Sequence, residues 1–259
     1  RVRIERGRLL ARAGLTALAE AELRFGATNG GQAHVLALEL ARVASQQGEY
    51  GRSIRYIKGV FPGYLSLPRD SASGEFWRLA FPVPYRRELE RYCRIHKLDL
   101  WLVAGLIRQE SEFDPKALSR AGARGLMQVL PSTGRQLSRK LGVRRFGTSM
   151  LNSPEFNIRL GTYYFRRLLD EHPGRIEPAL ASYNGGKTRV DSWLAWGTFE
   201  EAVEFIETIP ISETRNYVQA VLRNAAVYRE LYGGGAATVT STNGDSRRSG
   251  GAGGGSARQ

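Results

Sequence analysis

Apolar residues recur at helical spacing along most of the chain and almost nowhere alternate as a half-buried strand would. Residues 8–25, 33–47 and 50–60 predict three helices, separated by the glycine-rich 26–31 and by Gln47-Gly48-Glu49. The set Val35, Leu36, Leu38, Leu40, Ala41 and Ala44, followed by Tyr50, Ile54, Ile57 and Val60, predicts a helical hairpin of the kind stacked in solenoids. About one and a half such units are fewer than the roughly three that a stacked array needs, so this region reads as the end of a longer helical scaffold or as an accessory cap. Pro62, Pro68, the polar run at 71–74, Pro82 and Pro84 then form a connection that a helix would not continue through, and a domain boundary is expected there.

Beyond the connection, helices are predicted at 85–96, 99–113, 132–141, 155–171, 175–183, 199–207 and 213–231. The last carries Tyr217, Val221, Leu222, Ala225, Tyr228 and Leu231 on one face. Residues 233–259 hold nine glycines and no aromatic residue, too little apolar surface to offset the entropy of ordering, and are expected to be disordered. The division expected is a helical, solenoid-like region and linker over 1–75, a second domain over 76–232 and a tail over 233–259. The fold class is mainly α with at most a small irregular sheet.

Composition bounds the chemistry. With 259 residues, 42% hydrophobic and 24% charged, the chain is long enough to bury a full core. A net charge of +13 and a pI near 10.3 imply attraction to a polyanion: nucleic acid, an anionic membrane surface or the acidic peptide stems of a cell wall. Cys93 is the single cysteine, which excludes an internal disulfide, and its helical spacing with Leu89, Tyr92 and His96 reads as a small buried hydrophobe. His34, His96 and His172 are too scattered for a zinc signature, so no metal and no cofactor are implied. No stretch approaches the roughly 18 apolar residues of a membrane span, and any targeting segment is expected outside the 259 residues.

The residue out of keeping with its surroundings is Glu110. It follows the apolar run from Leu100 to Ile107 and, at helical spacing, stacks over Val103, Leu106 and Ile107, which places its carboxylate on a core-facing stripe. Desolvation raises a carboxyl pKa, and such a group can release a proton near neutral pH, so Glu110 is the candidate general acid. Glu112 has Arg108 four residues before it and reads as a solvated surface pair. Pro115 is expected to stop the helix and leave the Glu110 carboxylate near an end that opens to a loop.

Three further segments carry candidate groups. Ser119, with the small residues Gly122, Ala123 and Gly125, leads into Gly125-Leu126-Met127-Gln128, where backbone could approach a ligand closely and the Gln128 amide could bond a sugar amide or hydroxyl. Ala181-Ser182-Tyr183-Asn184-Gly185-Gly186 is expected to break a helix and expose Tyr183 at a rim, where its phenol could stack on a sugar face. Ser212 and Glu213 open the last helix, Ser212 as a cap and Glu213 in favourable register with the helix dipole.

In order, these segments resemble the catalytic domain of soluble lytic transglycosylases, relatives of goose-type lysozyme that cleave peptidoglycan. The resemblance runs over residues 76–232 through Ile107-Arg108-Gln109-Glu110-Ser111, Ser119 with Gly125-Leu126-Met127-Gln128, Asn157 with Gly161, Tyr183-Asn184 with Arg189-Val190, and Glu213-Thr214-Arg215 with Tyr217-Val218. Gly185 departs from it, standing where the pattern usually has alanine, which should loosen the turn slightly. The resemblance implies a lysozyme-like helical domain preceded by the last turns of a superhelical scaffold.

It also implies a mechanism. Glu110 would protonate the glycosidic oxygen between N-acetylmuramic acid and N-acetylglucosamine, then act as base on the muramic 6-hydroxyl to close a 1,6-anhydro ring, with the substrate's acetamido group assisting. Ser119, Gln128, Tyr183 and Asn184 would hold the sugars and Met127 would line the cleft, while Ser111 and Glu213 would orient or support Glu110. The partners implied are peptidoglycan glycan strands and cell-wall or envelope proteins, not nucleic acid, in the periplasm or cell envelope. A hydrolytic muramidase on the same framework and a non-catalytic glycan-binding scaffold stay open as alternatives.

Overall fold

A computed structural model describes residues 2–29 and 33–234. Among them are thirteen α-helices and three short 3-10 turns, and the nearest thing to a sheet is a pair of isolated bridges, Leu118 with Arg124 and Arg124 with Val129. From residue 235 on, the expected disordered tail lies outside the described residues.

The first four helices, α1 (Val2–Arg12), α2 (Thr16–Asn29), α3 (Ala33–Gln46) and α4 (Tyr50–Val60), each pack against the next. The single helix expected over 8–25 is two, because Gly14 takes φ +76, a conformation that side-chain-bearing residues avoid, and reverses the chain between α1 and α2. Leu23, Leu36, Leu40 and Val43 form a small core among them. Glu39, almost fully buried, bonds Arg8 at 2.6 Å and also Arg42, which in turn reaches Glu75 at 2.6 Å beyond the connection.

The connection is not devoid of helix. It holds 3-10 turns at Tyr64–Ser66 and Arg69–Ser71 and then α5 (Gly74–Ala80), which the periodicity did not predict because seven residues are too few to display it. Ser73 caps α5 by accepting a bond from the Phe76 amide at 3.2 Å. One apolar core runs without interruption from Ala41, Ile54 and Ile57 through Trp77 and Phe81 to Leu106 and Tyr228, so the α3–α4 hairpin is packed into the same interior as the helices that follow.

Those helices are α6 (Arg86–His96), α7 (Leu100–Ser111), α8 (Pro131–Lys140), α9 (Pro154–Glu171), α10 (Ile176–Gly185), α11 (Lys187–Leu194), α12 (Ala202–Thr208) and α13 (Ser212–Tyr232). Helix α11 is another short element absent from the expectations. Asp99 starts α7 by accepting from the Leu102 amide at 2.7 Å. Every residue from Leu102 to Arg108 is buried, and each large aliphatic side chain enclosed there contributes about 1.5–3 kcal/mol.

The most extensive helix contact in the molecule is that of α7 with α13. The two run antiparallel, with Trp101 stacked on Tyr228 and Tyr232 at one end. At the centre lies Gly105, where a Cβ would fall 2.8 Å from the Ala225 amide nitrogen and 2.9 Å from the Val221 carbonyl oxygen. The backbones touch because Gly105 has no side chain. Arg108, expected on the surface, is buried: its Nε donates to the Ala80 carbonyl at 3.1 Å, its Nη1 to Asn224 Oδ1 at 3.2 Å and its Nη2 to the Tyr64 hydroxyl, with the guanidinium 4.1 Å from the Phe81 ring centre. A guanidinium with its donors engaged and an aromatic face beneath it tolerates burial that a lone charge would not.

Replacing Gly105 with alanine forces α7 and α13 apart. Gly105→Ala is expected to lower stability by about 1–3 kcal/mol, the range for overpacking a tight interior, read as a lower urea midpoint with an unchanged slope.

Candidate active site

Glu110 occupies the last turn of α7, one residue before the helix ends at Ser111. The end comes earlier than Pro115, because Glu112 and Phe113 take left-handed conformations at φ 51 and φ 64 and turn the chain sharply into the loop that follows. Neither is glycine, and such conformations cost on the order of 1–3 kcal/mol each, so the surrounding contacts must hold them. Glu112 is held by Lys58 at 2.7 Å and Arg55 at 3.4 Å, both on α4, and not by Arg108. Phe113 is held by complete burial.

The loop returns against the end of α7. Ser111 Oγ donates to the Leu126 carbonyl at 2.8 Å. Asn157 on α9, fully buried, accepts from the Met127 amide at 2.7 Å and donates to the carbonyls of Arg124 and Leu151, each at 2.8 Å, so a single side chain ties the loop at two points to the turn that holds Leu151. Gly125, at φ +76, sits where a Cβ would be 2.2 Å from the Leu151 carbonyl oxygen, and Gly161 where one would be 2.4 Å from Met127 Sδ. Any larger residue at either position would displace the loop.

The carboxylate of Glu110 is half-buried at a cleft of about 630 Å³, lined also by Asn184, Glu213, Asn216, Tyr217 and Arg223. Tyr217 Oη donates to Glu110 Oε1 at 2.6 Å, a charge-assisted bond when the carboxyl is ionised. Burial raises the Glu110 pKa and the Tyr217 bond lowers it; burial prevails, and the carboxyl is pushed up from 4.5 to about 7. Two phenols, Tyr217 and Tyr183, feel the Glu110 charge, and burial together with that charge holds both well above the ordinary tyrosine value.

The predicted site residues divide into groups. Glu110, Asn184 and Glu213 line the cleft. Tyr183 is half-buried and its Oη donates to the Met127 carbonyl at 2.7 Å, joining α10 to the loop. Met127 does not line the cleft: its side chain is fully enclosed, seated on Gly161, because the room left by that glycine is filled from within. Ser119 and Gln128 stabilise the loop itself. Ser119 Oγ accepts from the Ala123 amide at 3.0 Å, and Gln128 Nε2 donates to the carbonyls of Gly125 at 2.9 Å and Ala117 at 3.2 Å. The Asn-Gly-Gly break falls later than expected, at Gly186 with φ +87, so Asn184 and Gly185 complete α10. An alanine Cβ at 185 would lie 3.0 Å from Thr214 Oγ1, the hydroxyl that donates to Asn184 Oδ1 at 2.8 Å.

At the start of α13, Ile211 and not Ser212 holds the capping position, and Glu213 is exposed. The group that meets Glu110 is Tyr217, one turn further along. The periodicity puts Tyr217 on the core face of the last helix and the resemblance includes it in Tyr217-Val218, but neither pairs it with Glu110. No group of three or more possible metal ligands occurs among the described residues.

Residues 91–205 match the model of the transglycosylase SLT domain, and residues 208–237 that of the soluble lytic transglycosylase helical domain. Over residues 91–205 the chain is thus similar to a transglycosylase SLT domain. The soluble lytic murein transglycosylase of Salmonella typhimurium is 36% identical over 166 residues, 62% of this chain and 26% of that protein. Among solved structures, an inactive glutamate-to-glutamine mutant of the lytic transglycosylase Slt from Pseudomonas aeruginosa is 31% identical with a TM-score of 0.69, covering 87% of this chain and 34% of that one. The 70 kDa soluble lytic transglycosylase of Escherichia coli is 29% identical, also with a TM-score of 0.69, covering 89% and 36%. The chain thus spans about a quarter of the curated relative and about a third of the solved ones. The fold is mainly α, a lysozyme-like SLT domain with superhelical segments.

The raised Glu110 pKa links stability to pH. A carboxyl whose folded pKa exceeds its unfolded one holds its proton more tightly when folded, so its contribution is present below the unfolded value and is lost as pH rises toward about 7. Glu110→Gln removes that loss. Its stability relative to the parent is expected to rise between pH 4.5 and pH 8 by about 2–3 kcal/mol, at about 1.4 kcal/mol per pKa unit, in paired urea titrations.

Proposed function

We propose that this chain is the catalytic part of a peptidoglycan lytic transglycosylase acting in the bacterial cell envelope, with Glu110 as its single catalytic carboxyl. The observation that carries the reading is the state of that carboxyl: half-buried at a cleft, bonded by Tyr217 and raised to about 7. A group so poised exists in quantity as both acid and base at neutral pH. Burial and the Tyr217 phenol account for its acidity, with no neighbouring carboxylate contributing, which fits a reaction that uses one carboxyl and not the usual pair.

In the first step Glu110 gives its proton to the oxygen joining N-acetylmuramic acid to N-acetylglucosamine, as the substrate's acetamido group supports the positive charge at the anomeric carbon. In the second, the Glu110 carboxylate takes the proton of the muramic 6-hydroxyl, whose oxygen bonds to the anomeric carbon and closes the 1,6-anhydro ring. No water is consumed. Tyr217 steadies the carboxylate between the steps, and Asn184 faces the sugars from the cleft wall, while Tyr183, bonded to the Met127 carbonyl, ties α10 to the loop. Ser111, Ser119, Met127 and Gln128 hold the loop against the end of α7, so they position the site from behind. The glutamate-to-glutamine change in the inactive Pseudomonas aeruginosa relative supports an essential glutamate. The helices ahead of residue 76 are proposed as the final turns of a scaffold, consistent with the fraction of the relatives that the chain spans.

Digestion of purified wall followed by mass spectrometry tests the reading. Anhydro-muramic termini, lighter by one water than reducing ends, are expected; reducing ends alone would identify a hydrolytic muramidase, and binding without cleavage a glycan-binding scaffold. Glu110→Gln is expected to lose cleavage and keep its fold. Tyr217→Phe removes a donor that favours the ionised carboxyl, so Glu110 keeps its proton to higher pH. The alkaline limb of kcat/KM is expected to move upward in pH, and an unmoved limb would separate Tyr217 from Glu110's chemistry.

A further inference from the structure

Helix α4 meets the turn behind Glu110 with one of its faces. Gly51, Arg55 and Lys58 follow one another at helical spacing and so share that face. At Gly51 a Cβ would lie 3.2 Å from the Glu112 carbonyl oxygen and 3.7 Å from the Asp114 Cβ, which brings the α4 backbone against the turn. Further along the same face, Arg55 Nη1 meets Glu112 Oε2 at 3.4 Å and Lys58 Nζ meets Oε1 at 2.7 Å. Each carboxylate oxygen thus has its own cation from α4.

The two sides of this contact differ in firmness. Ile54 and Ile57, fully buried, set α4 in the same core as Trp77, Phe81 and Leu106, and Tyr50 meets Tyr85 edge to face with ring centres 6.5 Å apart. The turn, by contrast, runs through two left-handed residues, and beside it a cleft of about 530 Å³ opens between the start of α4 and residues 113–116. Glu112 closes α7, its amide donating to the Arg108 carbonyl at 3.2 Å, and Glu110 lies two residues before it. A non-glycine residue released from the left-handed state returns to a commoner conformation, and the last turn of α7 would unwind with it.

We infer that Lys58 and Arg55 are positioning residues for Glu110: by clasping Glu112 they fix the turn that ends α7 and hold the catalytic carboxyl at its place beside Tyr217. This rests on the reading of Glu110 as the group that cleaves the glycan. It gives the helices ahead of residue 76 a part in the chemistry, although none of their side chains lines the Glu110 cleft.

The effect runs through position and not through charge. Tyr217 and Tyr183 feel the Glu110 charge from α13 and α10, Glu213 and Arg223 stand on the same cleft, and Arg108 on α7 itself is turned to α13. The acidity of Glu110 is set by burial and the Tyr217 bond, with no contribution from the charges of Glu112, Lys58 or Arg55. The side chains of Lys58 and Arg55 are 50% and 58% exposed, and pairs so open to water add little to stability.

Cleavage of soluble, uncrosslinked peptidoglycan strands across pH tests the clasp in the parent, Glu112→Ala, Lys58→Met, Lys58→Arg and the double variant Lys58→Met with Glu112→Ala. Glu112→Ala is expected to lower kcat about tenfold with KM within about twofold, because the misplaced group performs chemistry and not binding. Burial is the larger of the two influences on Glu110, so admitting water moves the alkaline limb of kcat/KM to lower pH, opposite in direction to Tyr217→Phe. Lys58→Met follows Glu112→Ala, Lys58→Arg keeps the parent's behaviour, and the double variant is no worse than Glu112→Ala, since Lys58 acts through Glu112. Urea midpoints stay close to the parent's. An undiminished kcat in Glu112→Ala, an unmoved limb, multiplied losses in the double variant, or a kcat that falls only as the urea midpoint falls overturns the inference. Titration of the Glu110 carboxyl carbon by NMR in the free protein separates this claim from the catalytic one. If the parent cuts no strand while Glu112→Ala still lowers the Glu110 midpoint, the catalytic reading fails and the clasp stands; an unmoved midpoint overturns the clasp.

Discussion

The close antiparallel contact of α7 with α13 is the constraint on which the site depends. Gly105 lets the helix backbones touch, with no room for even a methyl group between them. Five residues further along α7 is Glu110, and four residues before Val221 on α13 is Tyr217. The short bond between them is thus set by a glycine that contacts neither. The buried Arg108, bonded to Asn224 on α13, braces the same pair of helices from the side. Were the helices a methyl diameter further apart, the phenol would no longer reach the carboxylate, and burial alone would govern its acidity.

A second constraint holds the other side. The loop of residues 112–129 has almost no regular structure, and its two consecutive left-handed residues would not persist unaided. Asn157 bonds the loop at Arg124 and Met127 and the following turn at Leu151, Gly125 and Gly161 leave the space, and Ser111 and Tyr183 tie the loop to α7 and α10. The loop pairs part of its backbone internally, as Arg124 and Val129 exchange bonds at 3.1 Å, and side chains including Asn157, Ser111 and Tyr183 bond groups that this pairing leaves. Glu110 sits where these two independently braced surfaces meet.

How much of this was legible in the sequence follows from the range of each interaction. The burial of Glu110 could be read from Val103, Leu106 and Ile107, because they are neighbours on one helix and spacing alone puts them together. The helical class and most helix positions were readable for the same reason. Its bond to Tyr217 spans 107 residues, and no local pattern pairs two positions so far apart. Arg108 and Glu112 show the opposite error: four residues apart on a presumed helix they should pair, but Glu112 leaves the helix at φ 51 and turns to α4, while Arg108 faces α13. Met127 was placed at the cleft from the motif it belongs to, and only the proximity of Gly161, itself distant in sequence, shows it enclosed. Short elements such as α5 and α11 fall below the length at which periodicity speaks, and Gly14 divides a helix that the apolar pattern ran through.

For a residue that must give a proton and then take one, neither extreme of acidity is useful. A carboxyl in water near 4.5 is almost entirely ionised at neutral pH, and one wholly desolvated and unbonded keeps its proton too firmly to serve as a base. The fold sets two effects against each other. Burial in the end of α7 raises the pKa, and the Tyr217 phenol, which stabilises the charged form, draws it back. The phenol can do so without becoming an acid itself, since its own burial beside Glu110 holds it well above the ordinary tyrosine value. A lysine or arginine in place of Tyr217 would pair with the carboxylate too strongly and return it to the ionised state. A neutral donor, held rigidly by helix packing and unable to lose its proton, is the kind of partner that leaves a buried glutamate near 7.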